Sequence, residues 1–104
     1  METIAFKMKL RAGFAGEYKK RHEAIWPELS ALLKNAGIRD YHIFHDTATG
    51  ILFAFLKTDN LPALDELPQD TIMQRWWAYM ADIMDTNPDA SPVAVPLEKV
   101  FFMP

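Results

Sequence analysis

The chain has no cysteine. That excludes disulfides, thiolate nucleophiles and thiolate metal ligands, and it fits a reducing compartment, the cytoplasm by default. Glycine is scarce, four residues in 104. No phosphate-cradling loop or dinucleotide fingerprint is built from them, so no nucleotide cofactor is expected. There is no apolar run long enough for a membrane span, and Met1–Lys7 alternates instead of forming a signal-peptide core. A formal net charge of −3 offers no basic footprint for nucleic acid. A His-Glu-x-x-His pattern is absent, and His42 and His45 sit an odd number of residues apart, on opposite faces of a strand. No metal site is therefore expected. Nor is any serine set in a nucleophile-elbow pattern.

Half of the residues are apolar, enough for one folded domain spanning residues 1–104. Ile4, Phe6, Met8 and Leu10 alternate with Ala5, Lys7 and Lys9 and predict a strand with one apolar face. A helix broken at Trp26-Pro27 follows, ending near Gly37. Ile38–Asp46 reads as a strand, with Tyr41, Ile43 and His45 on one face and His42 and Phe44 on the other. Thr47–Gly50 is a hairpin turn. Ile51–Thr58 is a strand apolar on both faces, and Leu61–Leu67 is at most a short helix. Thr71–Met84 is the second main helix, with a stripe of Ile72, Met73, Trp76, Trp77, Met80, Ile83 and Met84. The prolines of Asn87–Pro96 predict an irregular loop, and Leu97–Phe102 a last strand.

This order, βαββαβ, is the α+β ferredoxin-like arrangement, a four-stranded antiparallel sheet with helices on one face. Two helices cannot cover both faces of a sheet that carries Phe53, Phe55, Phe101 and Phe102 alongside Leu52, Ala54 and Leu56. A homodimer packed sheet to sheet, a dimeric α+β barrel, would cover the second face.

Two stretches can carry chemistry. In Tyr18–Leu29 the apolar stripe places Tyr18 and His22 inward, one turn apart, next to the break at Trp26. That predicts a pocket, although a core histidine satisfied by backbone groups has the same pattern. In Gln74–Met80 the adjacent Trp76 and Trp77 cover a wide arc of the helix, so one can pack in the core while the other lines a cavity. Flat rings with an indole N–H suit the mixed faces of a sugar. What remains for chemistry is acid–base work: His22 with Tyr18 and Tyr41. Asp82 and Glu28 are weaker candidates, since carboxylates at such positions are usually solvated.

Arg21–Leu29 (RHEAIWPEL), Gln74–Met80 (QRWWAYM), Asn87–Val93 (NPDASPV) and Val100–Pro104 (VFFMP) resemble the L-rhamnose mutarotase family, and the likeness extends over the whole chain. The resemblance implies a ferredoxin-like dimer that interconverts the α and β anomers of L-rhamnose without a cofactor. It implies His22 as the catalytic acid and Tyr18, Tyr41, Trp76 and Trp77 as sugar contacts. Asp59–Gln69 departs from the family's pattern, where packing rather than chemistry is at stake. Two other readings use the same features. In a cofactor-free or haem-degrading oxygenase of this fold, His22 would be a base or axial ligand. A non-catalytic sugar-binding or regulatory module would bind sugar saturably without accelerating anomer exchange.

Overall fold

A computed structural model describes all residues, 1–104. Four strands, β1 (Glu2–Lys9), β2 (Ile38–His45), β3 (Ile51–Thr58) and β4 (Val95–Leu97), form one antiparallel sheet in the order β2-β3-β1-β4. Four helices, α1 (Ala15–Glu23), α2 (Pro27–Asn35), α3 (Leu61–Glu66) and α4 (Thr71–Met80), and a 3-10 turn at Leu67–Gln69 complete the chain. The ferredoxin-like order expected from the sequence is the one observed. None of the helices is long and apolar enough to cross a membrane.

The pairing fixes the two faces of the sheet. Phe6 lies opposite Ala54, Met8 opposite Leu52, and Ile43 opposite Ala54. These residues face the helices, where Leu29, Met73, Trp76 and Met80 close a core around the fully buried Ala54 and Ile83. The other face holds Phe53 beside Phe44 and Lys7, and Phe55 beside His42 and Ala5.

The expected helix break resolves into two helices. Trp26 takes extended geometry (φ −61°, ψ 131°), as a residue before proline prefers, and Pro27 occupies the first turn of α2, where its missing N–H costs nothing. Gly37 closes α2 at φ +88°, and a Cβ there would strike the Asp59 carboxylate. The Asp70 carboxylate caps α4, accepting from the Ile72 N–H at 2.8 Å.

Three expectations require correction. The second main helix stops at Met80, not Met84. Ile83 and Met84 are nevertheless buried, because the chain turns there and pairs with the end of β1: Met84 bridges Leu10, and the Arg11 N–H donates to the Ile83 carbonyl at 2.9 Å. The last strand is Val95–Leu97, partly inside the stretch expected to be loop. Pro96 is tolerated because β4 is an edge strand, where a missing N–H need not break a ladder. Finally, Phe101 and Phe102 lie outside the sheet, unpaired and 77% and 72% exposed.

Candidate active site

Between the helix layer and the inner face of the sheet lies a half-open cavity of ≈ 1440 Å³, predominantly apolar, lined by side chains that include Tyr18, His22, Tyr41, His45, Trp76 and Trp77. All five site residues singled out from the sequence therefore border one space. His45 adds a second imidazole, signalled only by its alternation with Tyr41 and Ile43.

Helix α1 delivers Tyr18 and His22 one turn apart, and their rings stack at a centroid distance of 4.3 Å. His22 and Trp76 meet edge to face, with centroids 5.4 Å apart and planes at 88°. Trp76 in turn packs against Trp26 at 5.1 Å. The two helices are held together beside this cluster by Arg21. Its guanidinium donates to Asp82 at 2.9 and 3.2 Å, to the Tyr79 carbonyl at 2.7 Å and to Glu17 at 2.9 Å, and it lies over the Tyr79 ring. Asp82 is thus an anchor outside the cavity, and Glu28 is exposed near the start of α2. Neither borders the cavity.

Tyr41 arrives by a different route. Three steps along β2, from Arg39 to His42, span only two along β3, from Lys57 to Phe55. The extra residue forms a bulge at Asp40, whose φ is +49°. This shift lets Ile38, Tyr41, Ile43 and His45 all line the cavity, while His42 turns to the outer face. Tyr41 is 39% exposed at the bulge, yet burial pushes its phenol up to about 12. Tyr18 is raised as well, by burial and then by the neighbouring Tyr41 phenol. Both phenols keep their protons at neutral pH.

His22 is half-buried. Its Nδ1 lies 3.0 Å from the Tyr18 carbonyl. A carbonyl only accepts, so Nδ1 carries the proton. Burial lowers the pKa of the ring below its ordinary value of 6.5, and the bond to the Tyr18 carbonyl opposes that only in part. No buried side-chain nitrogen or oxygen lacks a partner. The Tyr18 hydroxyl and His22 Nε2 make no hydrogen bond within the protein, so both must open onto the cavity. The two tryptophans also divide their work: Trp76 is buried in the core in edge-to-face contact with His22, and Trp77 is a partly buried wall.

An α+β ferredoxin-like domain with a histidine, two protonated phenols and indole walls around one apolar cavity defines a protein equipped for proton transfer on a small polar ligand. The family profile described as L-rhamnose mutarotase matches residues 3–103. L-rhamnose mutarotases of Acidiphilium cryptum (57% identity over 100% of both chains) and Bacteroides thetaiotaomicron (54% over 99% of both) are similar along their full length. The crystal structure of an L-rhamnose mutarotase from Formosa agariphila superposes with a TM-score of 0.94 at 49% identity, covering 100% of both chains. Rv0793 of Mycobacterium tuberculosis, 16% identical with a TM-score of 0.56 over 96% of this chain and 95% of its own, shares the fold. The chain belongs to the L-rhamnose mutarotase family.

Proposed function

We propose that this chain, acting as one domain, interconverts the α and β anomers of L-rhamnose by acid–base ring opening and reclosure. The observation that carries the reading is His22, stacked on Tyr18 and edge-on to Trp76, bordering an apolar cavity in a chain of this family. Ring opening moves one proton off the anomeric hydroxyl and one onto the ring oxygen. The C1–C2 bond of the open aldehyde then rotates, and closure on the other face reverses both transfers. Proton exchange alone suffices, so no cofactor enters the reaction. His22 exchanges the protons, Tyr18 and Tyr41 hydrogen-bond the sugar, and Trp76 and Trp77 stack against its C–H faces. The apolar lining suits the methyl group of a 6-deoxy sugar.

The reading extends to a cytoplasmic homodimer. The cysteine-free composition fits the reducing compartment. The dimer is supported by the outer face of the sheet, where His42, Phe44 and Phe55 stack on one another with centroids 5.2–6.2 Å apart and Phe44 is 58% exposed. Exposed Val95 and Leu97 extend this surface, and the segment Val100–Met103 is apolar and exposed as well.

Anomer exchange of L-rhamnose, followed by NMR saturation transfer, tests the function. The protein is expected to accelerate exchange, and His22→Ala to lose about 10²–10⁴-fold of that rate while keeping its circular dichroism. Saturable sugar binding without acceleration would make the chain a binding module instead. Near-normal exchange in His22→Ala would move the chemistry away from this histidine.

A further inference from the structure

We propose that His45 is a further sugar-binding residue that determines specificity: it holds the hydroxyl at C4 of the pyranose, the end of the ring opposite the reacting carbon. The proposal rests on the reading of the cavity as an anomer-exchange site. It adds a residue of β2 that belongs neither to the cluster on α1 nor to the tryptophan pair of α4.

His45 reaches the cavity from the last position of β2. It pairs with Leu52, and Leu52 pairs with Met8, at the end of the sheet where the chain leaves β1 for α1. Tyr41 stands four residues earlier and borders the same cavity, with Ile43 between the two. At a rise of about 3.3 Å per residue, Tyr41 and His45 are about 13 Å apart along the strand. A pyranose measures roughly 6 Å from its C1 oxygen to its C4 oxygen, and a hydrogen bond of about 2.8 Å at each end brings the span to roughly 12 Å. One sugar ring therefore bridges the interval. Its anomeric edge lies toward Tyr41, Tyr18 and His22, its C4 hydroxyl toward His45, and its body over Ile43.

Nothing within the protein engages the His45 ring. It makes no hydrogen bond to another residue, and no buried polar side-chain atom lacks a partner, so its nitrogens are open to the cavity or to water. The neighbouring Asp46 is committed to the hairpin turn instead: its carboxylate accepts from the Ala48 N–H at 3.0 Å, and its own N–H donates to the Ile51 carbonyl at 2.8 Å. The strand residues that border the cavity around His45 are Met8, Ile43 and Leu52, all apolar. On this part of the sheet the imidazole is the one side chain that can bind a hydroxyl. Its two ring nitrogens can donate or accept, and a hydroxyl can do both. A bond at C4 is remote from the C1–O5 bond that breaks, so it is made equally before and during ring opening. It contributes to affinity and leaves kcat alone. It also keeps the far end of the sugar in place while the C1–C2 bond turns.

Anomer-exchange kinetics of the full chain on L-rhamnose and on 4-deoxy-L-rhamnose test this as a cycle. His45→Leu is expected to raise KM for L-rhamnose about 10-fold with kcat nearly unchanged, the loss of one hydrogen bond. Removing the C4 hydroxyl is expected to raise KM of the unaltered protein by a similar factor. In His45→Leu the two sugars are then expected to have nearly equal KM, because the hydroxyl has already lost its partner. His45→Gln, which can again bind a hydroxyl, is expected to recover part of the preference for L-rhamnose. Circular dichroism of both variants checks the fold. Factors that multiply when both groups are removed would overturn the assignment, as would a KM for L-rhamnose untouched by His45→Leu. A loss confined to kcat would also overturn it, by placing His45 in the chemistry. If the unaltered protein does not accelerate exchange of L-rhamnose, the reading of the function itself fails, and that result appears before any substitution is made.

Discussion

Arg21 and Asp82 are joined by two hydrogen bonds, 2.9 and 3.2 Å, that tie the last turn of α1 to the segment following α4. The residue next to Arg21 is His22, and the helix across from it carries Trp76. The ion pair therefore sets the spacing of the two helices at the point where imidazole and indole meet edge to face.

Loosening this tie should cost rate more than folding. Arg21→Lys cannot keep both bonds to Asp82 and the bond to the Tyr79 carbonyl in one geometry. It is expected to lower the anomer-exchange rate, by up to about 10²-fold if the His22 ring shifts by an ångström, with a smaller change in thermal midpoint. The bond to Arg21 holds the Asp82 carboxyl below its ordinary 3.8. A depressed carboxylate keeps its folded-state contribution above the unfolded pKa and loses it only as pH falls through the folded one. The tie is thus intact throughout pH 5–8, and any rate change in that window arises elsewhere. Exchange rates of Arg21→Lys and Asp82→Asn at pH 7, with melting curves of both, check the expectation. Unchanged rates would show that the tie is only structural.

The two adjacent tryptophans should separate by phenotype. Trp76 is 6% exposed and touches His22, Trp26 and Tyr79. Trp76→Ala is expected to cost about 3–5 kcal/mol of stability, the range for removing a large buried ring. Trp77 borders the cavity without being fully buried, so Trp77→Phe should weaken L-rhamnose binding and leave the melting temperature nearly unchanged. Denaturation curves and sugar titrations measure both. Equal destabilisation with no change in sugar affinity would remove the wall.

The outer face of the sheet supplies a third expectation. Phe55 points away from the core, opposite Ala5 and His42. A charge there should leave the protomer folded but disrupt the proposed sheet-to-sheet contact. Phe55→Glu is expected to sediment as a monomer where the unaltered protein sediments as a dimer. An unaltered protein that sediments as a monomer at micromolar concentration argues against the dimer.

Periodicity and local chemistry determined much of this protein without any tertiary information. Alternation in Ile4–Leu10 specified a strand and its buried face. Pro27 divided the first helical stretch, and the one-turn spacing of Tyr18 and His22 put both on the inward side. These are properties of neighbouring residues, settled by backbone sterics and the repeat of a helix or strand. Other features depended on what lies across space. Ile38 and Ile43 have opposite parity, so strict alternation cannot turn both inward. The bulge at Asp40 does, and it brings Tyr41 to the cavity with them. Pro96 reads locally as a strand breaker, but pairing with β1 on one side only makes it harmless. Ile83 and Met84 continue a helical stripe in sequence, yet they are buried through contacts with the end of β1. The charge state of His22 likewise depends on tertiary surroundings. The Tyr18 carbonyl lies in reach from its own helix, but the burial that favours the neutral ring comes from elements distant in the chain, and only their packing decides it.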